Sequence, residues 1–222
     1  MDTSSMTDRG DLYARWAPHY AADAHNPLMT AEQQAVTELL PEAAGLTVLD
    51  AGCGTGRYAR RLIEAGARRL IGVDSSPSML LHAWDGGATY VRGDMRALPI
   101  AGRTFDLVVS GLMLPDIADL GAVVREWFRV LAPGGVIVCS TLHPIGAELG
   151  WTRTFQTPHG THRLPAHWHT IDDQRRACSD AGLIIDAVAE PGLHPADPAA
   201  RRLASPWVPV ALVLRARRPR LP

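Results

Sequence analysis

Between Leu46 and Arg218 the chain alternates short apolar runs with stretches whose apolar residues recur at helical spacing, the pattern of parallel strands joined by crossover helices. A first strand, LTVLD (46–50), runs into glycines and then into RYARRLIEAGA, where Tyr58, Ala59, Leu62 and Ile63 share a helical face until Gly66. RLIGVD (69–74) follows as a second strand. A helix starting near Ser76 and Pro77 directs Met79, Leu80 and Leu81 to the core, and ATYVRGD (88–94) is the third strand. FDLVVSG (105–111) is almost continuously apolar, as a strand buried on both faces must be. A helix over 120–131 is stopped by Pro133, Gly134 and Gly135, and VIVCSTL (136–142) makes the fifth strand.

The pattern then loosens. Residues 143–169 hold five of the nine histidines with Trp151 and Trp168 and no sustained period, which reads as an insertion and not a second domain. T-x-x-D at Thr170–Asp173 has capping-box spacing, and Gly182 ends the helix it starts. LIIDAVAE (183–190) and PWVPVALVLRARR (206–218) are the last two strands, separated by a linker-like stretch at 192–206. Two helices, LYARWAPHY and TAEQQAVTELL, precede the sheet. The whole, 1–222, is one doubly wound α/β domain: helical segments over 1–45, a core over 46–142, the insertion over 143–169, and a closing helix with two strands over 170–222.

Charge narrows the partners. Lys+Arg 22 against Asp+Glu 23 leaves a net charge of −1, which offers no cationic field for a nucleic-acid backbone. No apolar run reaches the length of a bilayer span, and the opening MDTSSMTDRGD lacks the features of a signal peptide, so a cytoplasmic protein is expected. Cys53, Cys139 and Cys178 are odd in number and widely spaced, as free thiols are. Every basic residue is arginine, which excludes Schiff-base lysine chemistry and a P-loop lysine; the RARRPR run (215–220) reads as a solvated tail.

The strongest local signal is VLDAGCGTG (48–56), where a strand meets Gly52, Gly54 and Gly56 and then a helix. Such a turn exposes backbone N–H groups to a ligand, although a tight strand-to-helix turn also uses glycine for purely structural reasons. Asp74, 18 residues beyond Gly56 at the next strand end, is placed to accept two ribose hydroxyls, or else to cap the helix that follows. With Asp50 and Asp94, three successive strand ends bring carboxylates to one crevice. Carboxylates repel a diphosphate and suit a sulfonium with its ammonium, which favours S-adenosylmethionine over a nicotinamide dinucleotide.

These segments, VLDAGCGTG, LIGVDSSPSML, VRGDMRALPI, FDLVVSGLML and RVLAPGGVIVCS, resemble in order and spacing the class I S-adenosylmethionine-dependent methyltransferases, in particular the small-molecule branch with the ubiquinone/menaquinone-type and malonyl-carrier-protein enzymes. The resemblance implies a Rossmann-like seven-stranded sheet of order 3-2-1-4-5-7-6 with strand 7 antiparallel. It implies that Asp50, Gly52, Cys53, Gly54 and Gly56 face the methionine part of the cofactor, and that Asp74, Ser75 and Met79 hold the ribose. Asp94 and Met95 would take the adenine; Ser110, Gly111 and Leu112 would line the opposite wall. Tyr13 and Tyr20, which share a helical face with Trp16 and His19, would belong to a lid.

The implied function is methyl transfer to an oxygen or nitrogen, less readily carbon, of a small and partly aromatic metabolite, by a monomer or homodimer. Alternatives are a non-catalytic cofactor-binding module and an enzyme using the cofactor for a non-methyl reaction such as a cyclisation. His143, directly after the fifth strand, and His167 with His169, on one side of an extended segment, are candidate bases together with Tyr13. His162, His167 and His169 could otherwise form a three-histidine metal set, with Asp172 or Asp173 as the carboxylate behind the ligating rings, and all of them have a bland reading as loop residues. Asp116 is a candidate base from the fourth strand or an N-cap. No metal is assigned.

Overall fold

The structure, a computed structural model, describes residues 4–193 and 207–220. Two helices, α1 (Ser4–Trp16) and α2 (Pro27–Leu39), lead into β1 (Thr47–Ala51), α3 (Arg57–Glu64), β2 (Arg69–Asp74), α4 (Pro77–Leu80) and β3 (Thr89–Arg92). Then come β4 (Phe105–Ser110), α5 (Leu120–Val130), β5 (Leu131–Leu142) and α6 (Ile145–Glu148). The chain continues through β6 (Arg153–Thr157), β7 (Gly160–Leu164), α7 (Ile171–Ala181), β8 (Ile184–Ala189), β9 (Gly192–Leu193), β10 (Val208–Pro209) and β11 (Ala211–Arg217). The main sheet has the order β3-β2-β1-β4-β5-β11-β8. β1 to β5 are mutually parallel and β11 is antiparallel to both neighbours, so the order and the reversed strand are those expected.

Successive residues of a strand point to opposite faces, and β1 divides its apolar residues accordingly. Val48 joins α2 and α3 through Val36, Tyr58 and Leu62. Leu49 and Ala51 join the other layer, where Val123 and Trp127 of α5 meet Ala177 and Cys178 of α7. The three cysteines are buried and free.

Thr170 caps α7 as its spacing indicated: its hydroxyl accepts from the Asp173 N–H, and Asp173 accepts from the Thr170 N–H. Other details differ from the sequence expectation. β5 starts at Leu131 and runs through Pro133–Gly135, because Gly134 adopts φ +81° and absorbs the irregularity as backbone instead of ending the element. α4 is a single turn that can direct one residue inward: Met79 is buried, whereas Leu81 is 84% exposed. Residues 153–164 of the insertion form a hairpin, β6 against β7, that pairs only with itself. The last strand is split at Val208–Pro209, because Pro209 has no N–H to give to the main ladder. The arginines at its end are engaged: Arg215 and Arg217 pair with Asp186, and Arg218 donates to the carbonyls of Phe128 and Leu131 at the end of α5. Residues 194–206, most of the linker-like stretch, lie outside the described residues.

Glu32 of α2 is fully buried and accepts from Arg57 Nη1 (2.8 Å), Tyr58 Oη (2.9 Å) and Ser140 Oγ (2.5 Å). Ser140 Oγ in turn accepts from the N–H of Leu112 at 2.9 Å. One carboxylate thus joins α2, α3, β5 and the loop after β4. Replacing Glu32 with Ala strands the buried Arg57 charge and is expected to cost about 3–5 kcal/mol in urea unfolding, with a clearly smaller loss for Glu32→Gln.

Candidate functional site

The carboxyl ends of β1, β2 and β4 meet in the crevice where the strand order reverses, the usual ligand position of an open α/β sheet. Its floor is the turn between β1 and α3. Gly52, Gly54 and Gly56 have φ of +71°, +53° and +86°, a region closed to most side chains. A Cβ on Gly52 would strike Met113, whereas one on Gly54 would meet nothing within 4 Å, so the Gly54 backbone faces open space. Cys53 is buried, with its thiol packed beneath the turn against Gly72.

Asp74 Oδ2 accepts from the Gly54 N–H (2.9 Å) and Oδ1 from the Ser76 N–H (2.8 Å). Those bonds, with the Ser75 N–H also acting on the carboxylate, fix its plane. Burial raises its pKa, against the pull of those N–H donors. Ser76, not Asp74, caps α4, accepting from Met79 N. Ser75 is exposed beside it and Met79 is buried beneath.

Asp50 accepts a single described hydrogen bond, from the Ala59 N–H at 3.0 Å, and burial pushes its pKa up to about 7 although Arg57 pulls the other way. A desolvated carboxyl short of cationic partners, next to a backbone cradle and a ribose-type carboxylate, fits the ammonium of an amino-acid tail.

The remaining predicted positions fall into two sets. Tyr20 packs edge-on against Trp16 and His25, and burial, with Arg57, Glu32, Arg153 and Asp74 among the charges acting on its hydroxyl, raises its pKa. Gly111 approaches the Tyr58 ring so closely that a Cβ would lie 2.2 Å from it, and Leu112 holds φ +57° with its N–H tied to Ser140. Met95 is buried near Val73 in the core layer below. Ser110, by contrast, donates its hydroxyl to the Ala51 carbonyl (2.8 Å) and joins β4 to β1. Asp94 is held by Arg96 through both carboxylate oxygens, which lowers its pKa.

The histidines separate likewise. His143 Nδ1 accepts from the Ile145 N–H (3.2 Å), which puts the ring proton on Nε2, 3.0 Å from Glu190 Oε1. Both nitrogens are thereby engaged, and the ring ties the end of β5 to the end of β8. His167 and His169 lie on one side of their extended segment, ring centroids 6.4 Å apart, while Trp168 packs on Gly146 with Trp151. His169 Nε2 lies 2.8 Å from the Ile117 carbonyl, to which it donates. Burial, with Arg9 and His169 nearby, lowers the pKa of His167 and keeps it neutral, the form a base requires. His162 stacks on Phe155 and bonds Thr157, and among the described residues no group of three side chains is placed to hold a metal ion.

Above the crevice Tyr13 Oη donates to Asp116 Oδ2 at 2.6 Å, and Arg153 Nη1 and Nη2 reach Asp116 Oδ1 (2.9 Å) and Oδ2 (3.2 Å). Arg9 also bonds the Asp116 carbonyl. Burial and the Asp116 charge raise the Tyr13 pKa far above that of a free phenol. Asp116 does not cap α5; Asp119 does, accepting from Ala122 N. Glu32, Arg57, Ser140 and Arg153 carried no sequence signal as site residues, because each acquires its place from a partner remote in the chain.

The chain matches the family described as a methyltransferase domain over residues 49–139. It is 38% identical over 132 residues to a malonyl-[acyl-carrier protein] O-methyltransferase of Enterobacter lignolyticus, covering 59% of this chain and 51% of that one. It is 31% identical over 172 residues to a ubiquinone biosynthesis O-methyltransferase of a Methylobacterium strain, covering 68% and 65%. An S-adenosylmethionine-dependent methyltransferase from Mesorhizobium loti superposes with TM-score 0.68 at 29% identity, covering 85% of this chain and 98% of that one. Residues 49–139 form a methyltransferase domain, and the chain has the fold of the S-adenosylmethionine-dependent methyltransferases, which implies S-adenosylmethionine as its cofactor. It spans about half the length of the malonyl-carrier-protein enzymes it matches.

Because the Asp50 pKa is raised in the fold, its stabilising share is present below the ordinary value of 3.8 and is lost as pH rises through about 7. Asp50→Asn is therefore expected to be more stable than the parent at pH 8, by up to about 4 kcal/mol for some three pKa units, and to lose that advantage near pH 4. Urea unfolding at both pH values checks the sign. The same variant is expected to bind S-adenosylhomocysteine at least tenfold more weakly by calorimetry.

Proposed function

We propose that this protein transfers the methyl group of S-adenosylmethionine to an oxygen of a small metabolite, with nitrogen the less favoured acceptor atom and carbon the least. The observation that carries the reading is the pairing of Asp50 and Asp74 around the open Gly54 backbone. When bound, S-adenosylmethionine supplies an electrophilic methyl group on a sulfonium. In this reading the cradle at 52–56 and Asp50 hold the amino-acid tail, Asp74 with Ser75 the ribose, and Met79, Asp94 and Met95 border the adenine. Gly111 and Leu112, with Ser110 behind them, form the opposite wall, and Tyr20 lies above it. The protein's main contribution is alignment, since displacement at a methyl carbon gains most from holding the acceptor atom in line. Trp151 and Trp168, packed on Gly146, and the histidine segment beside the loop after β4 would shape the acceptor side.

Neutral His167 is the favoured base for an acceptor hydroxyl. His169 backs it, and Tyr13 and His143 are less suited because their polar atoms are already bonded. The O-methyltransferase names of the two curated relatives support oxygen as the acceptor atom. A cytoplasmic setting, as a monomer or homodimer and without nucleic acid or membrane, accords with the near-neutral charge; no helix among the described residues is long and apolar enough to cross a membrane.

Incubation with methyl-labelled donor and a panel of carboxylic acids and phenols is expected to release S-adenosylhomocysteine in proportion to a methylated product. Tight donor binding without turnover across the panel would favour a binding module or a non-methyl reaction. Asp74→Ala is expected to weaken donor binding by a factor of ten or more. His167→Ala is expected to lower kcat about a hundredfold or more while sparing S-adenosylhomocysteine affinity; equal losses in both would make it scaffold.

A further inference from the structure

Resting on that donor reading, we propose that Asp116 is a positioning residue that latches α1 to the β6–β7 hairpin above the crevice, and so sets how long the donor and its product remain bound. Three observations carry this. First, over its described side chains, residues 9–16, α1 has little apolar hold on the protein. None of these residues is fully buried, and the principal apolar anchor among them is Trp16, stacked on Phe155 of the hairpin with ring centroids 4.8 Å apart. A helix attached this way relies on polar contacts to stay in place.

Second, those contacts converge on one carboxylate. Asp116 receives Tyr13 Oη and both terminal nitrogens of Arg153, and Arg153 Nη2 also lies 3.1 Å from Tyr13 Oη, closing a triangle. The Arg153 and Asp116 side chains are only 14% and 16% exposed, so these charge-assisted bonds are shielded from water. Neither partner segment can leave without breaking bonds to Asp116, and neutralising that carboxylate loosens both.

Third, the latch is wired to the cofactor seat. Asp116 belongs to a tight turn in which its N–H donates to the Met113 carbonyl (2.9 Å), and Met113 lies against Gly52 so closely that a Cβ there would be 2.3 Å from it. Asp116 is also among the charges acting on Asp74. A displaced latch therefore disturbs the floor of the crevice as well as its cover.

The test is stopped-flow measurement of S-adenosylhomocysteine dissociation from the full chain. Asp116→Asn, Tyr13→Phe and Arg153→Met are each expected to speed dissociation tenfold or more, with association unchanged or faster. Asp116→Asn combined with Arg153→Met should be no faster than either alone, since members of one unit are not additive. Asp186→Asn, which breaks the remote pairs to Arg215 and Arg217, serves as a charge-matched control expected to leave the rate unchanged. If Asp116→Asn folds poorly, Tyr13→Phe, which removes one hydroxyl, bears the test. Dissociation within twofold of the parent, or additive effects, overturns the latch. Failure of the parent to bind S-adenosylhomocysteine overturns the donor reading and the latch together.

Discussion

A carboxylate withdrawn from water must be compensated by donors or cations, and three such groups determine the organisation of this protein. Glu32 is fully compensated by a guanidinium and two hydroxyls, and its position locks the helical layer to the sheet. Asp74 is partly compensated, by backbone N–H groups that aim it. Asp50 is the least compensated, with one described N–H and a pKa raised to about 7. The gradient runs from the structural core to the crevice at the strand ends, where the carboxyls lack most. Asp50 costs the fold stability that a single N–H donor does not offset.

The glycine turn makes this arrangement possible. Its positive φ values let β1 reverse into α3 within five residues, so that the N–H of Gly54 can reach back to Asp74 and that of Ala59 to Asp50. A side chain at Gly52 or Gly111 would displace Met113 or Tyr58 and spread the two walls. Geometry and electrostatics therefore reinforce one another: the same backbone that leaves open space at Gly54 also orients the two acids beside it.

Much of this was legible from the chain. The strands, the glycine turn and the capping box of α7 are local features with local signatures, and the resemblance supplied the reversed last strand that periodicity alone does not specify. What escaped has a common cause. The clasp at Asp116 joins Tyr13 and Arg153 across more than a hundred residues of sequence, and Glu32 finds Ser140 across a similar gap. The hairpin at 153–164 is too short and polar to show a strand period, and Phe155 alone among the β6 residues is buried. The final arginines read as a tail because Asp186, which engages two of them, lies on another strand.

The self-contained pairing of β6 with β7 has an evolutionary corollary. Because that ribbon shares no ladder with the seven-stranded sheet, its length and composition can drift without shifting a single register in the cofactor seat. Insertions and replacements can accumulate there while the glycine turn and its acids stay fixed, provided an arginine remains within reach of Asp116.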